Sequence, residues 1–143
     1  MTQSTVSPKV RILLIEDNPA DVDLLRRALA AAHLDCELTL LEDGAEALSF
    51  IRRMDATGDE ALPDIAVLDL NLPKADGMEV LHAMRGSRSL AAVPVAVLSS
   101  SASSRERTRL EQMGIGRYIT KSPDLDEFLQ IGEILKSILP RRP

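Results

Sequence analysis

Short apolar runs that alternate with longer helical patterns constrain the fold of this chain more than any other feature. Five runs have the length and composition of β-strands, at residues 10–15, 37–41, 65–70, 94–98 and 116–120. The first, third and fourth are nearly continuous in apolar residues, which is typical of parallel strands covered on both faces. Parallel neighbours need a crossover helix between them, so the pattern predicts a doubly wound α/β fold.

Residues typical of helix N-termini lie between these apolar runs. Asn18 and Pro19 suit an N-cap and a first helical position, and capping-box spacings begin at Asp43 and at Ser103. Asp124 caps a last helical pattern, which we predict to be one helix that continues to about residue 139. The other predicted helices cover residues 19–33, 44–54, 77–85 and 107–113.

Composition agrees with one globular domain and excludes several classes of function. Hydrophobic residues make up 45% of the 143 residues, and the five β-α units predict a single domain over 1–143 with a core at about 9–139 and no output domain. The net charge of −5, two Phe, one Tyr and no Trp disfavour binding to nucleic acid or to an anionic membrane. The single cysteine, Cys36, excludes an internal disulfide. With no apolar run of about 18 residues and no signal-peptide pattern, we expect a soluble, cytoplasmic protein.

Polar residues capable of chemistry follow four of the five predicted strands. Glu16 and Asp17 follow the first strand, and Asp69 lies at the end of the third. Ser99 follows the fourth strand, and Lys121 follows the fifth. The carboxyl ends of parallel strands meet at one edge of such a sheet, where ligands bind. The pattern therefore predicts that three carboxylates, a hydroxyl and an ammonium converge at this edge.

The three carboxylates favour a divalent cation, and the aspartate in the apolar run favours a covalent role. Glu16, Asp17 and Asp69 would repel one another, and Mg²⁺, which binds oxygen ligands, relieves that repulsion. An aspartate beside a cation and Lys121 can attack phosphorus, with Ser99 donating a hydrogen bond to the transferred group. The alternatives are structural: a polar helix start for the acidic pair, and a hydroxyl bonded to backbone for the serine.

Four longer segments contain these residues: LLIEDNPAD (13–21), VLDLNLPKADGMEVL (67–81), PVAVLSSSA (94–102) and YITK (118–121). Together they resemble the receiver domain of two-component response regulators over nearly the whole chain. The resemblance implies a flavodoxin-like fold, a five-stranded parallel sheet in the order 2-1-3-4-5. It also implies a phosphoprotein that accepts its phosphoryl group from a sensor histidine kinase.

The resemblance assigns a role to each matching residue of the site. Asp69 matches the phosphoacceptor, and Lys121 matches the lysine beside it. Glu16 and Asp17 match the acidic pair that positions Mg²⁺, and Asn71 matches the residue that lends its backbone carbonyl to the metal. Such domains take part in their own phosphorylation and dephosphorylation, so the resemblance implies a signalling switch rather than an enzyme with an external substrate.

Two further residues match the switch of these domains. Ser99 matches the hydroxyl that moves toward the phosphoryl group, and Tyr118 matches the aromatic side chain that then reorients. Most receiver domains have a proline directly after the lysine, joined by a cis peptide bond, whereas this chain has Lys121-Ser122-Pro123. A cis bond before proline costs less, so Ser122–Pro123 is the more plausible cis bond, although neither bond need be cis.

The chain also resembles one subgroup of this family. LEDGAEALSFIRR (41–53) and KSPDLDEFLQI (121–131) are similar to stretches of small stand-alone regulators associated with bacterial phytochrome kinases. The resemblance therefore implies a bacterial phytochrome as the kinase partner. Output would then come from protein contacts or from passing the phosphoryl group onward.

Two other classes of function stay open as alternatives. Phosphatase-like hydrolases with an aspartate nucleophile usually carry a second aspartate two residues later, where this chain has Asn71. A flavodoxin-type cofactor carrier needs a phosphate-binding loop rich in Gly, Ser and Thr after the first strand. This chain has Glu16, Asp17 and Asn18 there, and the two carboxylates would repel phosphate.

The last helical pattern predicts a homodimer. On a helical wheel its apolar residues span about 220° of arc, whereas a stripe of roughly 100° is enough to cover a sheet. The excess would leave apolar side chains in solvent, and a two-fold contact between copies would bury them. The alternative is that the wide stripe packs beneath the chain ends. The stripe consists of Leu125, Phe128, Leu129, Ile131, Ile134, Leu135, Ile138 and Leu139.

Overall fold

The computed structural model describes residues 9–58, 62–72, 76–100 and 103–139. The strands are β1 (Val10–Ile15), β2 (Cys36–Leu41), β3 (Ile65–Asp69), β4 (Val95–Ser99) and β5 (Arg117–Thr120). The helices are α1 (Pro19–Ala31), α2 (Gly44–Thr57), α3 (Gly77–Arg85), α4 (Ser104–Gln112), α5 (Leu125–Leu129) and α6 (Ile131–Ile138).

The five strands form one parallel sheet in the order β2-β1-β3-β4-β5. This order confirms the predicted doubly wound, flavodoxin-like fold. Every residue of β3 and of β4 is buried, as the continuous apolar runs predict for central strands. In the edge strand β2, partly buried residues alternate with exposed ones as far as Leu40, because successive side chains point to opposite faces of the sheet, and Leu41 is buried.

Apolar residues form two core layers, one on each face of the sheet. Successive residues of β1 alternate between them: Leu13 belongs to one layer, and Ile12 and Leu14 to the other. The first layer also takes buried residues from α2, α3 and α4, and the second takes them from α1, α5 and α6. The helices thus cover both faces of the sheet.

Side-chain caps begin the helices where the sequence predicts. Asn18 Oδ1 accepts hydrogen bonds from the backbone N–H groups of Ala20 and Asp21, at 2.9 and 3.3 Å. Asp43, Ser103 and Asp124 cap α2, α4 and α5 in the same way. The helix α4 therefore starts at Ser104, directly after its cap, and three residues before the predicted start.

The prediction of one last helix over residues 125–139 is wrong. The structure ends α5 at Leu129 and begins α6 at Ile131, with Gln130 as the break. Both helices pack against α1, and Gly132 is needed there because a Cβ at this position would collide with the carbonyl oxygen of Ala28. A wheel drawn for one continuous helix does not describe two helices joined at a break.

The apolar stripe is mostly used within the chain, which removes the main reason for predicting a dimer. Phe128, Ile131 and Leu135 are buried, and Ile134, Ile138 and Leu139 are partly buried against the same core layer. Of the large hydrophobic residues in the described ranges, the exposed ones are Leu62 and Leu125. The expectation of several apolar side chains in solvent is therefore wrong, and the homodimer stays an untested prediction.

Within the described ranges, none of the helices combines the length and the hydropathy that crossing a bilayer requires.

Candidate functional site

The polar residues that follow the strands converge at the carboxyl edge of the sheet, as predicted. Backbone hydrogen bonds hold them in place: Glu16 N–H donates to the carbonyl of Leu41 at 3.0 Å, and Lys121 N–H donates to the carbonyl of Ser99 at 2.8 Å. Glu16, Asp69 and Ser99 are 1%, 3% and 1% exposed. Polar groups buried to this degree need partners, so their surroundings define the site.

Glu16, Asp17 and Asp69 form an acidic group at this edge. One carboxylate oxygen from each lies within 4.8 Å of the others, with Asp17 exposed and the other two buried. Burial raises the pKa of Glu16 to about 7, and the adjacent Asp69 raises it more than the ammonium of Lys121 lowers it. Clustered carboxylate oxygens are the ligands that Mg²⁺ prefers, so these residues fit the predicted cation.

Asp69 lies at the end of β3, and each of its carboxylate oxygens has a partner: a backbone N–H for one and the Lys121 ammonium for the other. Oδ1 accepts a hydrogen bond from the backbone N–H of Asn71 at 3.1 Å, and Oδ2 lies 3.4 Å from Lys121 Nζ. The start of α3 packs directly against the backbone of Asp69 and Leu70. A Cβ at Gly77 would come within 2.5 Å of Leu70 Cα and 2.8 Å of the Asp69 carbonyl oxygen. A glycine at position 77 therefore allows α3 to begin directly against the backbone that carries Asp69.

Lys121 joins three carboxylates at the rim of the site. Its Nζ lies 3.0 Å from Glu16 Oε1, 3.4 Å from Asp69 Oδ2 and 2.8 Å from Asp21 Oδ2. Burial alone would lower the pKa of this ammonium, but its hydrogen bonds to Asp21 and Glu16 and the nearby negative charges raise it instead. Lys121 is therefore a fixed positive charge beside the buried aspartate.

The contact between Asp21 and Lys121 was not predicted from the sequence. Its place in the first turn of α1 suggests only a favourable interaction with the helix N-terminus. No motif signals that this turn faces Lys121, because the rotation of α1 against the sheet determines which side chains reach the edge.

A second unpredicted carboxylate, Glu106 on α4, joins the two predicted switch residues. Glu106 Oε1 accepts hydrogen bonds from Ser99 Oγ at 3.2 Å and from the Tyr118 hydroxyl at 3.0 Å. The sequence indicates Glu106 only as the last residue of a capping box, and its N–H does bond to Ser103 Oγ at 3.2 Å. Its side chain, however, connects the end of β4 to the ring on β5.

The ring of Tyr118 lies inside the protein, with 8% of the residue exposed. Burial raises the pKa of its hydroxyl, and the carboxylate of Glu106 adds to the rise. The guanidinium of Arg107 lies 5.6 Å from the ring centroid, on the solvent side of the helix. Tyr118 is thus held in an inward position between β5 and α4.

The segment after the lysine contains only trans peptide bonds. No cis bond occurs among the described residues, which include Lys121, Ser122 and Pro123. Of the alternatives that the sequence leaves open, the structure therefore has neither the Lys121–Ser122 bond nor the Ser122–Pro123 bond in the cis form. Ser122 Oγ instead accepts a hydrogen bond from the N–H of Asp124 at 3.1 Å, in the turn that leads to α5.

Comparison with known proteins identifies relatives of this chain. The family of the response regulator receiver domain matches residues 12–133. Response regulator Rcp1 of Synechocystis sp. is 34% identical over 137 residues, which are 96% of this chain and 92% of Rcp1. The probable methanogenesis regulatory protein FilR2 of Methanothrix harundinacea is 35% identical over 125 residues, which are 87% of this chain and 80% of FilR2.

The solved structures that are similar to this chain are also response regulators. The phosphorylated cyanobacterial phytochrome response regulator RcpA superposes with a TM-score of 0.81 at 35% identity, over 92% of this chain and 94% of RcpA. The Mn²⁺-bound form of Rcp1 superposes with a TM-score of 0.80 at 33% identity, over 94% of this chain and 100% of Rcp1. The relatives of this chain thus include a phytochrome response regulator, RcpA, and a response regulator with a bound divalent metal, Rcp1. This chain belongs to the response regulator receiver domain family.

Proposed function

We propose that this chain accepts a phosphoryl group on Asp69 and so acts as a phosphorylation-dependent switch. A carboxylate oxygen of Asp69 attacks the phosphorus of a phosphohistidine. The new O–P bond forms as the P–N bond breaks, and the released imidazole takes up a proton from solvent. The observation that carries the proposal is the position of Asp69: a buried carboxylate with Lys121 near one oxygen and with Glu16 and Asp17 beside it.

The surrounding side chains provide the charge that phosphoryl transfer requires. Glu16, Asp17 and Asp69 would hold Mg²⁺ together with the backbone carbonyl of Asn71, and the bound cation would neutralise negative charge on the phosphoryl oxygens. Lys121 would also donate to a phosphoryl oxygen, since its Nζ lies 3.4 Å from Asp69 Oδ2. The same residues would also support slow hydrolysis of the aspartyl phosphate by water.

Ser99 and Tyr118 would transmit the state of Asp69 to the surface formed by α4, β5 and α5. A phosphoryl group is a stronger acceptor for the Ser99 hydroxyl than a carboxylate that it shares with another donor. When Ser99 turns toward Asp69, Glu106 loses one of its two hydroxyl donors and Tyr118 gains space on that side. Changed contacts at this surface would then be the output, without nucleic-acid binding.

The proposed donor is a sensor histidine kinase, with a bacterial phytochrome as the specific candidate. The support is the similarity to RcpA, a cyanobacterial phytochrome response regulator. Transfer of a phosphoryl group from such a kinase agrees with the cytoplasmic location expected from the sequence. Purified phytochrome kinase that carries a labelled phosphoryl group on its histidine tests this step, and failure of label to reach the chain would reject the specific donor.

Mass spectrometry tests the site directly. After incubation with acetyl phosphate and Mg²⁺, the chain should gain one phosphoryl group, and Asp69→Asn should gain none because an amide is not a nucleophile here. Asp64→Asn is the matched control, since Asp64 directly precedes β3, at the end of the strand opposite Asp69. Labelling that survives in Asp69→Asn, or that is lost in Asp64→Asn alone, would reject the assignment.

A further inference from the structure

Lys121 is shared among carboxylates that have different roles. Two of its three partners, Glu16 and Asp69, belong to the acidic group that fits a divalent cation. The third, Asp21, is outside that group and lies nearest to the ammonium, at 2.8 Å. Asp21 is thus the one partner of Lys121, among the described residues, that a cation in the acidic group would leave available.

An ammonium bound to metal ligands competes with the metal. A cation in the acidic group needs the oxygens of Glu16 and Asp69, and Lys121 must weaken its own contacts with them as the cation binds. Without another partner the displaced ammonium would lie partly buried and unpaired, which opposes cation binding. A third carboxylate next to Lys121 removes that cost.

Both partners of this ion pair are held by the surrounding fold. The backbone N–H of Asp21 bonds to the cap residue Asn18, and the next residue, Val22, is buried in the core. The Lys121 N–H bonds to the carbonyl of Ser99 at 2.8 Å. The Asp21 side chain is 20% exposed, and that of Lys121 is 15% exposed. The contact is therefore a part-buried ion pair at the rim of the site.

We infer that Asp21 is a positioning residue for Lys121. It keeps the ammonium beside the cation ligands, so that a divalent cation can occupy the acidic group while Lys121 stays paired and within reach of Asp69. The inference rests on the proposed function, because it concerns the cation and the lysine of that same site. Asp21, a residue of α1, would therefore affect cation binding through its contact with Lys121.

Calorimetric titration with Mg²⁺ alone tests the inference through a double-mutant cycle of Asp21→Asn and Lys121→Met. Asp21→Asn should weaken Mg²⁺ binding by roughly fivefold or more, a coupling typical of residues in direct contact. Lys121→Met should tighten Mg²⁺ binding because a competitor is gone. In the Lys121→Met background, Asp21→Asn should change the affinity by less than about twofold, since its target is absent.

Asp23→Asn is the matched control, because Asp23 is an exposed aspartate on the same helix that pairs with Arg27 instead. This variant should bind Mg²⁺ as the unmodified protein does. Far-UV circular dichroism establishes that each variant is folded, and Lys121→Gln replaces Lys121→Met in the cycle if the methionine variant does not fold.

Three results would overturn the inference. Unchanged Mg²⁺ affinity in Asp21→Asn rejects it, and so does an equal loss with and without Lys121, which would mean a direct charge effect. If Asp69 is still phosphorylated in either case, the proposed function stands and only the role of Asp21 falls. A protein that binds no Mg²⁺ would reject the cation site and this inference together.

Discussion

Replacing Glu16 by glutamine is expected to stabilise the metal-free protein at and above neutral pH. Glu16 is almost fully buried within the acidic group, next to Asp69. Its burial raises its pKa from an ordinary 4.5 to about 7, and Asp69 adds more to this rise than Lys121 takes away. The folded protein therefore ionises Glu16 at a cost that the unfolded chain does not bear.

The sign and the size of the effect follow from proton linkage. Between pH 4.5 and about 7 the folded state holds a proton on Glu16 that the unfolded chain has released. The free energy of unfolding therefore falls as the pH rises through this window, and the full stabilisation is present only below it. The difference between the two pKa values corresponds to a loss of about 3 kcal/mol above pH 7.

Urea unfolding followed by circular dichroism measures this loss in buffer that contains EDTA. The unmodified protein and Glu16→Gln should have similar free energies of unfolding near pH 4, because both side chains are then neutral. Above pH 7 the glutamine variant should be more stable by up to about 3 kcal/mol. Its amide also keeps an acceptor for the Asn18 N–H, which bonds to Glu16 Oε2 at 3.2 Å. Glu37→Gln, on the exposed side of β2, is the control variant for loss of a glutamate.

If the free energies of unfolding of the unmodified protein and of Glu16→Gln change in parallel between pH 4 and 8, the raised pKa of Glu16 is refuted. A glutamine variant that is less stable than the unmodified protein at pH 8 would refute it too. Mg²⁺ provides a second check on the same residue. Added Mg²⁺ should stabilise the unmodified protein more at pH 8 than at pH 6, since ionised Glu16 is the form that binds a cation. The glutamine variant should show a smaller gain at both pH values.

The remaining predictions concern single side chains around Asp69. Asp17→Ala should weaken Mg²⁺ binding and leave the fold intact; unchanged affinity in a calorimetric titration would remove Asp17 from the site. Gly77→Ala should destabilise the protein by about 1–3 kcal/mol in urea, because its Cβ would displace the backbone after Asp69; an unchanged unfolding midpoint would contradict that contact. Ser99→Ala should still permit phosphorylation but reduce the accompanying change in fluorescence of Tyr118, the only Tyr in a chain without Trp. A full fluorescence response in that variant would argue against the coupling.

The strands and their alternation with helices could be predicted because each strand carries its own local signal, whereas the order of the strands followed from the resemblance to receiver domains. The runs that form β1, β3 and β4 are apolar on both faces, and Asn18 and Asp43 cap the following helices with short-range hydrogen bonds. The break at Gln130 could not be predicted in the same way. It depends on how α5 and α6 fit against α1, which no local pattern reports.

The same distinction separates the predicted from the unpredicted residues of the site. Glu16, Asp69 and Lys121 follow or end strands, and parallel strands bring their carboxyl ends to one edge whatever the helices do. Asp21 and Glu106 lie on helices, so the rotation and tilt of each helix decide whether they reach that edge. Sequence alone assigns both of them to ordinary helix-start roles.

These two helical carboxylates connect the site to opposite faces of the sheet. Asp21 belongs to α1, which packs in one core layer, and Glu106 belongs to α4, which packs in the other. A phosphoryl group on Asp69 would compete with Asp21 for Lys121 and with Glu106 for Ser99. A single change of charge at the buried aspartate is therefore expected to alter hydrogen bonds to both layers at once. The Lys121 contact with Asp21 pairs two charged groups, whereas the Ser99 contact with Glu106 has a neutral donor, so we expect the contact on the α4 side to be the weaker of the two.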